Sequence, residues 1–591
     1  SLYMNHAGYE IARLLGILAP DSLMVDLNIN GHYAGIHLLV EQISETTLRN
    51  ARRLPGDIYS GDQRVGLNAW RGIGLHLFES TGLWEKVASN NHYPPEHIAP
   101  LRALLMAIPQ QDTTQLEQIV DLDAFATFNL FEQITNSTHT DDYHNWRLYY
   151  DPGRAKFYPI IWDSMAWADD FILIEGNSYW VPPAEIKASE LMRSLHRSEN
   201  FLATKKEIFS RFINSSMPDQ INDTLDRIEK QIRPAAYLDR AILSENYQWS
   251  SADESIERMS INRKLFENIL DRIRADYSTL AITDKKPQPT ISWQGAITLS
   301  ENTYIDQPLT IAAGTIITLE EDVSLFVRGR LNIQGEQDSP VIFRPGPGTV
   351  FGAVVIEGAR ANRSKIQWLE MYGGSGYKDD YKEYSGMLSI HDVDQLQIDH
   401  CWLHGNKLFD DQLHVVYSNI SISNCRFEAA PMDAVDLDMS RVTIEHSSFS
   451  NNGNDGLDLM GSYVSVVDSK FQHNQDKGIS VGERSRLDIS RSSFDRNLIG
   501  VQVKDASLTV GVDVTFSENA TAIDAYGKNW RYGSGGTGLF CNTSFINNPE
   551  RATSDKKSAL LIDGKNCLVR QRQLDQHYTE ASKVGFRQGN L

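Results

Sequence analysis

Residues 442–503 read VTIEHSSFSNNGNDGLDLMGSYVSVVDSKFQHNQDKGISVGERSRLDISRSSFDRNLIGVQV. Within them Phe449, Phe471 and Phe494 are each followed by an asparagine at the same offset, Asn452, Asn474 and Asn497. Working outward, the unit recurs in six segments, 398–406, 422–430, 444–452, 466–474, 489–497 and 510–519, with anchors Leu403, Phe427, Phe449, Phe471, Phe494 and Phe516 spaced 24, 22, 22, 23 and 22 residues apart. Phe545 and Asn548 repeat it after an insertion. A repeat of this length that cannot bury its apolar side alone predicts one coil of a parallel β-solenoid. Adjacent coils then stack about 4.8 Å apart, with Ile444 and Ile489 pointing inward and the asparagines forming an internal amide ladder. Residues 291–366 carry the same grammar of short strands and glycine turns and read as the opening coils.

The chain has 591 residues, 41% apolar and 23% charged. At about one domain per 150 residues this is enough for two to four units. Acids outnumber bases 77 to 56, a net charge of −21, which disfavours nucleic acid or anionic membrane as partner. No apolar run approaches the roughly 20 residues that span a bilayer. The sequence opens at Ser1 with a helical pattern under way, as in a trimmed product or a cut piece. Proline-rich residues 282–295 divide it. The expected domains are 1–285, an α+β part lacking its N-terminal portion, then the all-β solenoid over 286–550, then a cap or tail over 551–591.

In the first part Ile11, Leu14, Leu15 and Leu18 follow helical spacing as far as Gly16 to Pro20. Val25, Leu27 and Ile29 alternate with Asp26 and Asn28, and Asn30-Gly31 supplies a tight turn into a partner strand from Tyr33 to Val40. Residues 99–135 and 187–281 read as helices. Two further strands flank Asp151-Pro152-Gly153, so Asn145 and Asp163 meet at the open end of that hairpin. With Asp141 and Asp142 just upstream, the mouth offers oxygen ligands suited to a hard cation such as Mg²⁺. The alternative is a solvated acidic turn.

The segments SLYMNHAGYEIARLLGI, DLNINGHYAGIHLLVEQI, GDIYSGD and HTDDYHNWRLYYDPGRAKFYPIIWD resemble the CotH (spore coat protein H) kinase-like family. The resemblance implies a protein-kinase-like α+β fold and transfer of phosphate from ATP to protein side chains with a divalent metal. It assigns Asp163 to the metal, Asn145 to metal or phosphate, Asp141 or Asp142 to catalysis or metal, and Glu41 to orienting a lysine or the nucleotide. The sequence departs from the family at three points. Ser60 stands where the family carries a lysine, Ser164-Met165 replaces its second acid, and Thr140 occupies the expected place of the upstream acid. Arg64 or Arg71, in a glycine-bearing loop, could contact phosphates instead. A pseudokinase is the competing expectation.

In the repeat, Val435 and Leu437 point inward against outward Asp436, and Leu457 and Leu459 against Asp458. The outward row is Asp436, Asp458, Ser480, Gln502 and Asp524. Asp433 and Asp455 form a parallel pair, and His414 is a neighbour one coil earlier. Stacked carboxylates about 5 Å apart share a proton, bind a cation, or flank a sugar bond as acid and nucleophile; a solvated acidic face is the plainer reading. Cys401 and Cys425 occupy equivalent places on adjacent coils, either bridged or as free thiols in a ladder with Ser447, Ser469 and Ser492. Residues 290–550 resemble right-handed parallel β-helix proteins of the pectate-lyase-like kind, many of which handle polysaccharides. The overall expectation is an ATP- and Mg²⁺-dependent kinase-like protein whose β-helix binds a protein target or surface polysaccharide. A non-catalytic adhesion protein or a β-helix carbohydrate-active enzyme is the alternative. An exported, bacterial setting is expected by analogy with similar architectures.

Overall fold

The computed structural model describes residues 2–62, 76–167, 187–237, 252–278, 289–564 and 567. The chain divides between Asp284 and Lys285 into two compact units. Among the described residues no helix is long and apolar enough to cross a membrane.

The first unit opens with α1 (Leu2–Leu14), which stops before Gly16, whose φ of 79° only glycine adopts freely. Strands β1 (Ser22–Ile29) and β2 (His32–Val40) form the expected hairpin. Asn30 (φ 52°) and Gly31 (φ 81°) give its turn two successive left-handed residues, as a two-residue primed turn requires. After α2 (Glu45–Asn50), strands β3 (Asp57–Gly61), β4 (Trp84–Ala88), β5 (Trp146–Asp151) and β6 (Lys156–Pro159) build an antiparallel sheet in the order β4-β3-β5-β6. Helices α3 (Ala99–Gln110), α4 (Thr113–Ile119) and α5 (Leu122–Thr135) precede the β5–β6 hairpin; α6 (Glu190–Leu195), α7 (Glu199–Ile213), α8 (Met217–Ala236) and α9 (Ala252–Tyr277) follow it. The core gathers Phe125, Phe128 and Phe131 of α5, Trp146 of β5, and Phe266, Ile269, Leu270 and Ile273 of α9.

The second unit is a parallel β-helix of three sheets with 12, 11 and 11 strands. Its registers match the rows read from the sequence: Ile422, Ile444, Val466 and Ile489 stand side by side in one sheet, and Phe427, Phe449, Phe471, Phe494, Phe516 and Phe545 in another. The phenylalanine rings stack at 4.6 to 5.7 Å between centroids. Asn452, Asn474, Asn497, Asn519 and Asn548 pass amide hydrogen bonds from coil to coil at 2.7 to 3.2 Å. The side-chain carbonyls of Asn452, Asn497, Asn519 and Asn548 also accept a backbone N–H from the preceding coil, as Asn497 does from Asn474, so the buried amides have partners on both sides. Asn406 lies outside this ladder and donates instead to the carbonyls of Phe409 and Asp410.

Cys401 and Cys425 are free and buried. They head a ladder in which Cys425 N donates to Ser447, Ser447 N to Ser469, and Ser469 N to Ser492, so of the two readings the thiol ladder holds. Cys541 is instead bridged to Cys567. Strands Glu550–Ser554 and Ala559–Ile562 continue the coils, so residues 551–562, expected as cap or tail, extend two of the sheets.

Candidate functional site

The mouth of the β5–β6 hairpin is fixed from below by Trp146, whose buried ring stacks on Phe128 at 5.5 Å and meets Phe78 edge-on at 5.8 Å. α5 ends at Asn136 in the left-handed conformation (φ 46°), which turns the chain toward His139. The returning segment is tied to the end of α5: Trp167 N donates to Thr135 O at 2.6 Å, and Ser137 Oγ donates to Ser164 O. Asn145 (φ 66°) and Asp163 (φ 44°) both take left-handed backbone, which asparagine and aspartate tolerate better than most residues.

These constraints bring the two side chains to one imidazole. Asn145 Nδ2 donates to His139 O at 2.9 Å and lies 3.0 Å from His139 Nδ1, which in turn is 3.6 Å from Asp163 Oδ2. From the other side Asn5 Nδ2 donates to Asp163 Oδ1 at 2.6 Å, and Asp163 N donates to Tyr9 Oη at 3.1 Å. The Asp163 carboxylate remains 40% exposed, so it is available to a hard cation.

The other acids of the hairpin have partners of their own, though Asp141 keeps about a quarter of its side chain exposed. Asp141 Oδ1 accepts from the amides of Tyr143 and His144 at 2.8 and 3.1 Å and lies 2.9 Å from His144 Nδ1, a contact that raises the His144 pKa. Asp142 is buried, accepts the Glu190 amide that opens α6, and pairs with Arg193. Glu41 accepts the Asp21 amide at 3.1 Å. Ser60, on β3, stands directly opposite Arg147 of β5. Arg147 lies 3.6 Å from Asp62 and 5.4 Å over the Trp162 ring, next to Asp163. Arg64 and Arg71 lie outside the described residues.

On the β-helix the row read as outward is in register as His414, Asp436, Asp458, Ser480, Gln502 and Asp524, but Ser480 and Gln502 are buried, Ser480 Oγ accepting from Lys504 Nζ and Gln502 Nε2 donating to Asp524 Oδ2. Possible ligand atoms of His414, Asp436 and Asp438, and separately of Asp433, Asp455 and Asp458, lie within 4.8 Å of one another. Asp410 and Asp411, which the sequence reading passed over, form a third such group with Asp433. Burial, then the charges of Asp455 and Asp458, push Asp433 up to about 7. Burial and Asp458 likewise raise Asp455 to about 6 against the pull of Lys477. Asp436 is also raised, by burial and by Asp438 and Asp411.

The folded state therefore holds a proton on Asp433 more tightly than the unfolded chain, whose aspartates titrate near 3.9. Stability falls as pH rises through this interval and the loss is complete above about 7. Asp433→Asn keeps the oxygen that accepts from Asn454 Nδ2 and Asp455 N but not the charge. It is expected to stabilise the unit by about 2 to 4 kcal/mol at pH 8 and negligibly at pH 4. Urea denaturation at both pH values measures this, and equal gains at both would contradict the charge argument.

Residues 1–264 match the family described as CotH kinase protein, and residues 386–573 match the right handed beta helix region. No curated protein matched. Among solved structures, alginate lyase from a Paenibacillus species is 12% identical, covering 42% of this chain and 93% of its own, with a TM-score of 0.27. Tailspike protein 2 of an Escherichia coli bacteriophage is 12% identical over 46% of this chain and 42% of its own, with a TM-score of 0.28. The catalytic domain of a GH87 alpha-1,3-glucanase in complex with nigerose is 14% identical over 48% of this chain and 70% of its own, with a TM-score of 0.25.

Proposed function

The chain joins an N-terminal CotH kinase protein domain to a right-handed parallel β-helix, and from that premise we propose that the first unit transfers phosphate from ATP to a protein side chain while the second holds the target or a surface polysaccharide. The observation that carries this is the meeting of the Asn145 amide and the half-open Asp163 carboxylate at His139. Magnesium bound there would neutralise charge on the nucleotide phosphates, and such transfer depends mainly on positioning and electrostatics. Asn5 and Tyr9 orient Asp163 for this role. Arg147, opposite Ser60, supplies the cation that Ser60 itself does not. Asp141 receives the proton of the acceptor hydroxyl, because about a quarter of its side chain stays exposed. Asp142, closed between Arg193 and the start of α6, is a positioning residue.

Calorimetry of the full chain with ATP is expected to show binding that requires Mg²⁺, together with transfer of labelled phosphate to a protein acceptor. No binding in either condition overturns the reading and leaves a binding role alone. A second reading, acid-assisted glycan cleavage on the β-helix, is favoured by Asp433 and Asp455 standing near 7 and 6 beside Asp458. It predicts release of reducing ends from a polysaccharide and fails if none appear.

We also infer an exported, oxidising setting, supported by the Cys541–Cys567 bridge. Titration of the denatured, unreduced protein is expected to find two free thiols, Cys401 and Cys425; four would remove the inference.

A further inference from the structure

The hairpin of strands Tyr377–Lys378 and Glu383–Tyr384 interrupts the coil period and delivers Ser385 to the start of strand Gly386–His391 in the acid-bearing sheet. It is held firmly. Tyr384 is buried and donates to Glu357 at 2.5 Å, while Lys382 and Arg328 pair with the same carboxylate. Burial opposes ionisation of Glu357, but Lys382, Tyr384 and Arg328 outweigh it and hold the group at about 2. Gly386 then lets the chain close on the next coil, since a side chain there would put its Cβ 2.6 Å from His414 N.

Ser385 Oγ lies 2.9 Å from His414 Nδ1, and His414 Nε2 lies 3.4 Å from Asp438 Oδ2. Ser385 also reaches Asp411 Oδ2 at 2.6 Å. A hydroxyl beside an imidazole that a carboxylate orients from its far nitrogen is the arrangement of an activated nucleophile. We propose that Ser385, His414 and Asp438 form a serine-hydrolase centre acting on O-acyl esters of a neutral glycan. This is independent of the phosphotransfer reading.

The Asp438 carboxylate favours hydrogen on Nε2, leaving Nδ1 to accept from the serine. Rotation of the Ser385 hydroxyl carries its hydrogen from Asp411 Oδ2, to which it also donates, to His414 Nδ1. Ser385 Oγ attacks the acyl carbon and its proton passes to Nδ1. The ester C–O bond breaks and the alcohol leaves with that proton. Water attacks the acyl-serine, giving a proton to Nδ1 that returns to Ser385 as the carboxylic acid departs. Beside His414, the in-register Asp436 and Asp458 offer hydrogen bonds to a chain of hydroxyls. The surrounding Asp433, Asp436, Asp455 and Asp458 disfavour an anionic one.

The test is to treat the full chain with a fluorophosphonate probe, map the modified peptide by mass spectrometry, and follow p-nitrophenyl acetate hydrolysis. Probe on Ser385 is expected. Ser385→Ala should lose it and at least about 1,000-fold of the hydrolysis rate, and Asp438→Asn about 100- to 10,000-fold. Mapping on the unaltered protein does not depend on any variant folding. A folded chain without label on Ser385, or hydrolysis unchanged in Ser385→Ala, overturns the proposal.

Discussion

Asp163→Asn is expected to lower phosphoryl transfer by about 100- to 1,000-fold, the scale on which removing one preorganised charge-stabilising group acts, while leaving the fold intact. Asparagine suits the test better than alanine. Asp163 sits at φ 44°, where asparagine is tolerated and alanine strained, and the retained oxygen still accepts from Asn5. Only the charge is removed. Asp142→Asn separates site from scaffold: it takes the charge from a half-buried pair with Arg193 and should cost about 1 to 3 kcal/mol of stability through the start of α6. A phosphate-transfer assay beside a thermal melt reads both. Full transfer by Asp163→Asn would sink the assignment of that carboxylate.

Phe471→Ala is expected to destabilise the β-helix by about 3 to 5 kcal/mol. The ring is fully buried between Phe449 at 4.6 Å and Phe494 at 5.0 Å. Its removal opens a cavity in a stack whose neighbours are held by the coil register and cannot close in. Phe471→Leu should cost less, because much of the volume stays. Urea denaturation measures the difference, and a loss under about 1 kcal/mol for the alanine variant would mean that the ring stack contributes little.

The solenoid rows were legible in the sequence because a 22-residue period converts spacing directly into register: His414, Asp436 and Asp458 fall side by side as expected. The same logic hid Ser385, which a period-breaking hairpin carries, and the bridge to Cys567, which lies past the last recognisable repeat. In the first unit the turn at Asp151 to Gly153 was enough to bring Asn145 and Asp163 toward one place. Asn5 and Tyr9 were not recoverable, since they contact Asp163 across 158 and 154 residues with no local pattern. The commitment of Asp142 to Arg193, 51 residues away, was invisible for the same reason. Spacing shows where acids cluster, and only the tertiary fold shows which of them already have a cation.

The asparagine ladder makes each middle coil an interchangeable cassette. Asn474 meets Asn452 and Asn497 through the same bonds that Asn497 makes with Asn474 and Asn519, so a coil duplicated or excised whole rejoins like to like. Excising residues 453–474 would set Phe449 against Phe494 and Asp436 against Ser480, removing Asp458 from the row while keeping every type of internal contact. Such a scaffold can lengthen, or edit the chemistry of its outer row, without redesigning its interior.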